Sequence, residues 1–169
     1  MLRDRFGRQI TYLRISITDR CNFRCVYCMP AEGIGWQPHE AILRYEEIAQ
    51  VVEAAARGGV REVRITGGEP LVRGGLSSLV GMISKIPGID DISLTTNGML
   101  LERQLPELAA AGLKRINVSL DTLDREKFNR ITRGGSLETV LGGIHAAEAA
   151  GLTPIKVNAV VMRGVNDDE

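Results

Sequence analysis

The chain has three cysteines and no fourth. An ordinary iron–sulfur cube takes four thiolates, one per iron, and a structural zinc takes four ligands from cysteine and histidine. Cysteine alone completes neither here. An odd, closely spaced set also argues against disulfides. An excess of one charge is absent too: Lys+Arg and Asp+Glu number 21 each. That balance argues against a nucleic-acid or anionic-membrane surface. No apolar run approaches the ~18 residues of a membrane span. The N-terminus, Met1-Leu-Arg-Asp-Arg-Phe-Gly-Arg8, has no apolar centre for a signal peptide. The expected location is cytoplasmic, with no nucleic acid or membrane as partner. No low-complexity stretch or Pro/Ser-rich linker interrupts the sequence, so residues 1–169 read as one domain.

What is present alternates regularly. Helical patterns cover Tyr45–Arg57, Leu76–Ile86 and Leu101–Ala111, then Asp124–Ile131 continuing through Leu137–Ala150. Gly58, Gly88, Gly112 and Gly151 follow them as candidate left-handed terminators. Short β-branched runs come next: Glu62–Thr66, Asp91–Asn97, Arg115–Asp121 and Ile155–Val161, with Thr11–Thr18 preceding the cysteines. The order βαβαβαβαβ predicts an α/β fold, a parallel (βα)n sheet with helices outside.

Parallel strands covered on both faces read as unbroken Val/Ile/Leu; these alternate. Leu13, Ile15 and Ile17 alternate with Arg14, Ser16 and Thr18, and Val63 and Ile65 with Arg64 and Thr66. The later strands repeat the pattern, placing Thr95, Asn117, Ser119 and Lys156 on the polar side. A closed eight-stranded barrel fills its interior with apolar side chains. A polar interior predicts an open partial barrel around a large polar ligand; a half-exposed sheet is the plainer alternative. Arg14, Arg64 and Lys156 favour the cavity. The segment Gly164–Glu169 reads as a helix start, with Asn or Asp as cap. The expectation is an N-terminal fragment, truncated after about five strands, with its last strand an unprotected edge.

The cysteines, Cys21-Asn-Phe-Arg-Cys25-Val-Tyr-Cys28, follow the first strand. The second strand ends in Thr66-Gly67-Gly68-Glu69-Pro70, the third in Thr95-Thr96-Asn97-Gly98, the fourth in Val118-Ser119-Leu120-Asp121. In α/β sheets ligands collect at that rim. Paired glycines let backbone approach a ligand closely, or simply make a tight turn. Three thiolates on a cube leave one iron open to a small molecule. Zinc with His39 as fourth ligand is the competing reading, although the x3-then-x2 spacing suits a zinc finger poorly. Tyr27 by itself reads as a packing aromatic, Trp36 as packing after the cysteines, and Arg14 or Arg64 could pair with Asp121.

Cys-x3-Cys-x2-Cys followed by Gly-Gly-Glu-Pro resembles the radical S-adenosylmethionine (AdoMet) superfamily. Thr18–Pro30, Arg64–Leu71, Leu94–Gly98 and Asn117–Asp121 together resemble its GTP 3′,8-cyclase family of molybdenum-cofactor biosynthesis. The resemblance implies that Cys21, Cys25 and Cys28 hold three irons of a [4Fe–4S] cluster, with AdoMet on the fourth. Tyr27 matches the position beside the adenine, Gly68 the backbone that receives the methionine amino group, and Ser119 a further AdoMet contact. Arg14, Arg64, Thr95 and Lys156 match positions that meet GTP. The implied reaction is a lyase-type radical cyclisation of GTP to (8S)-3′,8-cyclo-7,8-dihydroguanosine 5′-triphosphate. It is initiated by an AdoMet-derived radical and needs an electron donor such as a flavodoxin-type reductant; a homodimer is compatible with it. Full-length relatives carry a second cysteine trio that this chain lacks, together with the sixth strand, so the fragment is expected to bind AdoMet more readily than to cyclise GTP. A radical-AdoMet enzyme acting on a peptide or other substrate, and a non-catalytic iron–sulfur or zinc module, remain as alternatives.

Overall fold

The computed structural model describes residues 1–169. Five strands, β1 (Tyr12–Ser16), β2 (Glu62–Thr66), β3 (Asp91–Thr96), β4 (Arg115–Ser119) and β5 (Lys156–Asn158), pair in sequence order. Every pairing is parallel. Between them run α1 (Tyr45–Arg57), α2 (Leu76–Ser84), α3 (Leu101–Ala111), α4 (Arg125–Thr132) and α5 (Leu137–Ala149). β1 and β5 do not pair, so the sheet is an open partial barrel.

The alternation along the strands sets the layers. Val63, Ile65, Leu94, Ile116 and Val118 are fully buried. They share one core with Ile48 and Val52 of α1, Leu79, Val80 and Ile83 of α2, and Leu105 and Leu108 of α3. The register aligns Arg14 with Arg64 and Arg64 with Ser93. One row further along, Thr95 aligns with Asn117 and Asn117 with Lys156. Helix starts follow capping chemistry. The Glu47 carboxylate accepts the Arg44 N–H at 2.7 Å, Asp124 accepts Lys127 N–H at 2.8 Å, and Ser136 accepts Thr139 N–H at 3.3 Å.

Four expectations need correction. The continuous helical stretch beyond Asp124 is two helices, α4 and α5. Arg133 and Gly134 turn left-handed, at φ 55° and 130°. A Cβ on Gly135 would stand 2.6 Å from Phe128 and 2.8 Å from Phe23. The break has a use: the last carbonyls of α4, at Ile131 and Thr132, accept the N–H groups of Val26 and Arg24 from the cysteine loop at 2.9 and 3.0 Å. Second, Gly58 is right-handed (φ −78°), and Gly59 takes the left-handed turn. Third, β5 is shorter than Ile155–Val161, and all three of its residues are exposed. Fourth, Arg163–Asp168 form turns, not a helix start. There the Asn166 amide donates to the carbonyls of Asp121 and Val160 at 2.6 and 3.0 Å.

Candidate active site

The loop carrying Cys21, Cys25 and Cys28 leaves β1 and crosses the rim of the sheet. Phe23 anchors it, buried against Phe128 of α4 with ring centroids 6.1 Å apart in an edge-to-face contact. The three thiols open onto a cavity of ≈ 230 Å³, whose wall also includes Arg14, Tyr27, Gly67, Gly68, Thr95, Asn97, Ser119 and Asp121. A larger groove of ≈ 440 Å³ lies between the starts of α2 and α3, but it carries no thiol.

Gly67 and Gly68 are required by a neighbour inside the protein. A Cβ on Gly67 would lie 2.5 Å from the Thr18 carbonyl oxygen, and one on Gly68 only 2.3 Å from that of Arg20. The Gly68 N–H bonds the Thr18 carbonyl at 2.7 Å, and the Glu69 N–H bonds the Arg20 carbonyl at 2.8 Å. The glycine turn is therefore fastened to the residues just before Cys21. Glu69 turns inward and is buried (1% exposed) with no cation beside it. It accepts the Leu71 N–H (2.9 Å), the Thr96 hydroxyl (2.8 Å) and the Asn97 N–H (2.6 Å). Burial pushes its carboxyl above the usual range, and the three donors pull it back.

Asp121 pairs with neither Arg14 nor Arg64. Its carboxylate accepts the Tyr27 hydroxyl at 2.7 Å and the Val160 N–H at 2.8 Å, linking the cysteine loop, β4 and the segment after β5. Burial first, and that bond to Asp121 second, push the Tyr27 phenol well up. His39 stands against Arg20, 3.3 Å away, and lines a separate hollow. Trp36 lies under the Arg24 guanidinium at 5.3 Å.

No three His, Cys, Asp or Glu side chains converge on one ion, and His39 faces another hollow. The open thiol trio beside a cavity fits a multi-iron cluster, whose irons are spread over a cube, better than a single zinc. Burial raises Cys21, and it raises Cys25 to about 11, helped by Cys21 and Asp121; Cys28 is exposed. Any metal that Cys21 and Cys25 bound would have to displace protons that burial holds on both thiols. In metal-free protein burial therefore keeps Cys25 as the thiol rather than the reactive thiolate near neutral pH. Iodoacetamide should modify Cys28 at least tenfold faster than Cys25, read by peptide mass spectrometry over time; equal rates would mean the loop is not seated as described.

Of the residues expected at the site, Arg14, Cys21, Cys25, Tyr27, Cys28, Gly68, Thr95 and Ser119 meet at this one cavity. Arg64 and Lys156 do not reach its wall. Arg64 lies half-buried over the Tyr12 ring, its Nε 3.4 Å from Ser93 Oγ, and Lys156 is exposed on β5. Sequence reasoning gives Glu69 and Asn97 no role and Asp121 only that of an ion-pair partner, although each stands inside a motif at a strand end.

The description "Radical SAM superfamily" matches residues 15–169. The chain belongs to the radical SAM superfamily. It is 58% identical to the GTP 3′,8-cyclase of Pelotomaculum thermopropionicum, over 99% of this chain and 52% of the relative. It is 55% identical to that of Moorella thermoacetica, with the same coverage. The chain thus spans about half the length of these curated relatives. Among solved structures, anSMEcpe with bound AdoMet matches at TM-score 0.71 and 20% identity, over 89% of this chain and 43% of that one. HydG, a maturase of the [FeFe]-hydrogenase, matches at TM-score 0.71 and 15% identity, over 88% of this chain and 34% of that one. A [4Fe–4S] cluster and AdoMet are accordingly the cofactors that membership of this superfamily brings to the chain.

Proposed function

We propose that the chain is the cluster-bearing and AdoMet-bearing part of a GTP 3′,8-cyclase, a radical lyase of molybdenum-cofactor biosynthesis. The observation that carries this reading is the 58% identity to a relative of that name. The cluster and AdoMet, when bound, supply a carbon radical by one-electron cleavage of a carbon–sulfur bond.

The protein's own groups bind and orient. Cys21, Cys25 and Cys28 anchor three irons. The Gly68 N–H is committed to Thr18, whereas its carbonyl accepts from no protein donor, leaving that oxygen for the methionine ammonium. The Tyr27 ring, steadied at its hydroxyl by Asp121, supplies an apolar face for the adenine, and Ser119 a hydroxyl on the same wall. Arg14 and Thr95 meet GTP from within the cavity. Arg64 and Lys156 stand on the same polar sheet face, placed to meet the far end of a triphosphate.

The test uses anaerobically reconstituted chain. AdoMet should shift the paramagnetic resonance signal of the reduced cluster; no shift would remove the open iron and the proposal with it. Arg14→Ala should weaken GTP binding roughly 10–100-fold, the value of a charged hydrogen bond, and Arg64→Ala should weaken it less. Both should leave AdoMet affinity unchanged. A peptide substrate would instead leave GTP binding undetectable from the start.

A further inference from the structure

Two N–H groups point at the Cys21 sulfur, the Phe23 backbone at 3.4 Å and the Asn97 side-chain amide at 3.9 Å. Asn97 is buried in the cavity wall at the end of β3. Its backbone N–H is held by Glu69 at 2.6 Å. Its Oδ1 accepts the Met99 N–H at 3.1 Å, and its Nδ2 donates to Asn22 Oδ1 at 2.8 Å. Because a backbone N–H holds Oδ1, the amide cannot flip without facing donor against donor. Nδ2 must face the cysteine loop.

We propose that Asn97 is a positioning residue for the cluster, with two separable actions. Through Asn22 it docks the start of the cysteine loop onto β3. Through the same NH2 group it aims a donor at the Cys21 sulfur. A donor to a ligating sulfur withdraws negative charge and favours the reduced cluster, raising its potential. The proposal rests on the cluster reading above and adds to it the group that sets the potential at one of the three thiolates.

Three variants separate the actions. Asn97→Asp keeps the shape and an oxygen for Met99 but replaces the donor with an oxygen. Asn22 can turn its own NH2 toward that oxygen, so docking persists. Asn97→Leu removes the donor without adding charge. Asn22→Ala removes the docking bond and leaves the donor. Reconstituted chain is titrated electrochemically with the cluster signal as readout, and metal-free chain is followed by amide hydrogen exchange over residues 21–28. Both Asn97 variants should give a more negative midpoint than the parent, Asn97→Asp the larger shift. Asn22→Ala should hold the parent midpoint while its loop amides exchange at least tenfold faster. A parent-like midpoint in both Asn97 variants, or an equal shift in Asn22→Ala, overturns the proposal. A folded Asn97→Asp chain that no longer takes up iron and sulfide supports it. If the parent itself takes up none, the cluster reading fails, and unchanged exchange in Asn22→Ala then overturns the docking role independently.

Discussion

Gly68→Ala will unseat the cysteine loop and abolish cluster loading. The added methyl would sit 2.3 Å from the Arg20 carbonyl oxygen, 2.6 Å from its carbon and 2.8 Å from the Asp19 carbonyl oxygen. All three are backbone atoms, so no side chain can rotate out of the way. Either the glycine turn or residues 19–20 must move. Movement breaks the bonds from Gly68 N–H to Thr18 and from Glu69 N–H to Arg20. Overpacking of this kind costs about 1–3 kcal/mol, and each lost backbone bond costs about 1 kcal/mol more. The sum, about 3–5 kcal/mol, is a large part of a small domain's stability. Urea unfolding measures it, and iron and sulfide content measures the loading. Gly81 in α2 has nothing within 4 Å of its missing Cβ, so Gly81→Ala should stabilise by about 0.5–1 kcal/mol. Parent-like stability and loading in Gly68→Ala would show that the turn is not fastened to residues 18–20.

Glu69→Ala is expected to cost at least as much by a different route. It leaves the Thr96 hydroxyl and two backbone N–H groups without an acceptor in a dry site, at about 1–3 kcal/mol each. Glu69→Gln separates charge from geometry. Its oxygen can still serve Leu71 and Thr96, but its NH2 faces the Asn97 N–H, so about 1–3 kcal/mol is lost. The pH dependence has a definite sign. The folded carboxyl is raised above its unfolded value. The folded state therefore holds the proton over the interval between the two, and stability falls as pH rises from the ordinary carboxylate range through the folded value. Glu69→Gln should remove that slope. A slope unchanged in the variant would assign it to other groups.

The sequence made the layers legible because they rest on local period. The bounds of α1, β2 and α3 follow from their amphipathic repeats, and β-strand alternation correctly separated Val63 and Ile65 from Arg64. Tertiary detail was not encoded that way. Nothing in the helical pattern after Asp124 says that α4 must stop to offer its carbonyls to Val26 and Arg24. Gly67 and Gly68 read as room for a ligand, yet the tightest approach is to the chain's own backbone at Thr18 and Arg20. Alternation tells which face Arg64 and Lys156 occupy, but not whether they reach the cavity: Arg64 is level with Arg14 and Lys156 with Thr95, yet of these four Arg14 and Thr95 alone line it. Nothing in Gly67-Gly68-Glu69-Pro70 says that the glutamate is buried; that appears only when β3 is laid beside the turn.

β1 pairs on one side only, with β2, and β5 on one side only, with β4. Each therefore keeps a row of backbone N–H and C=O groups that no strand of this sheet satisfies, and such a row is a template on which another strand can zip.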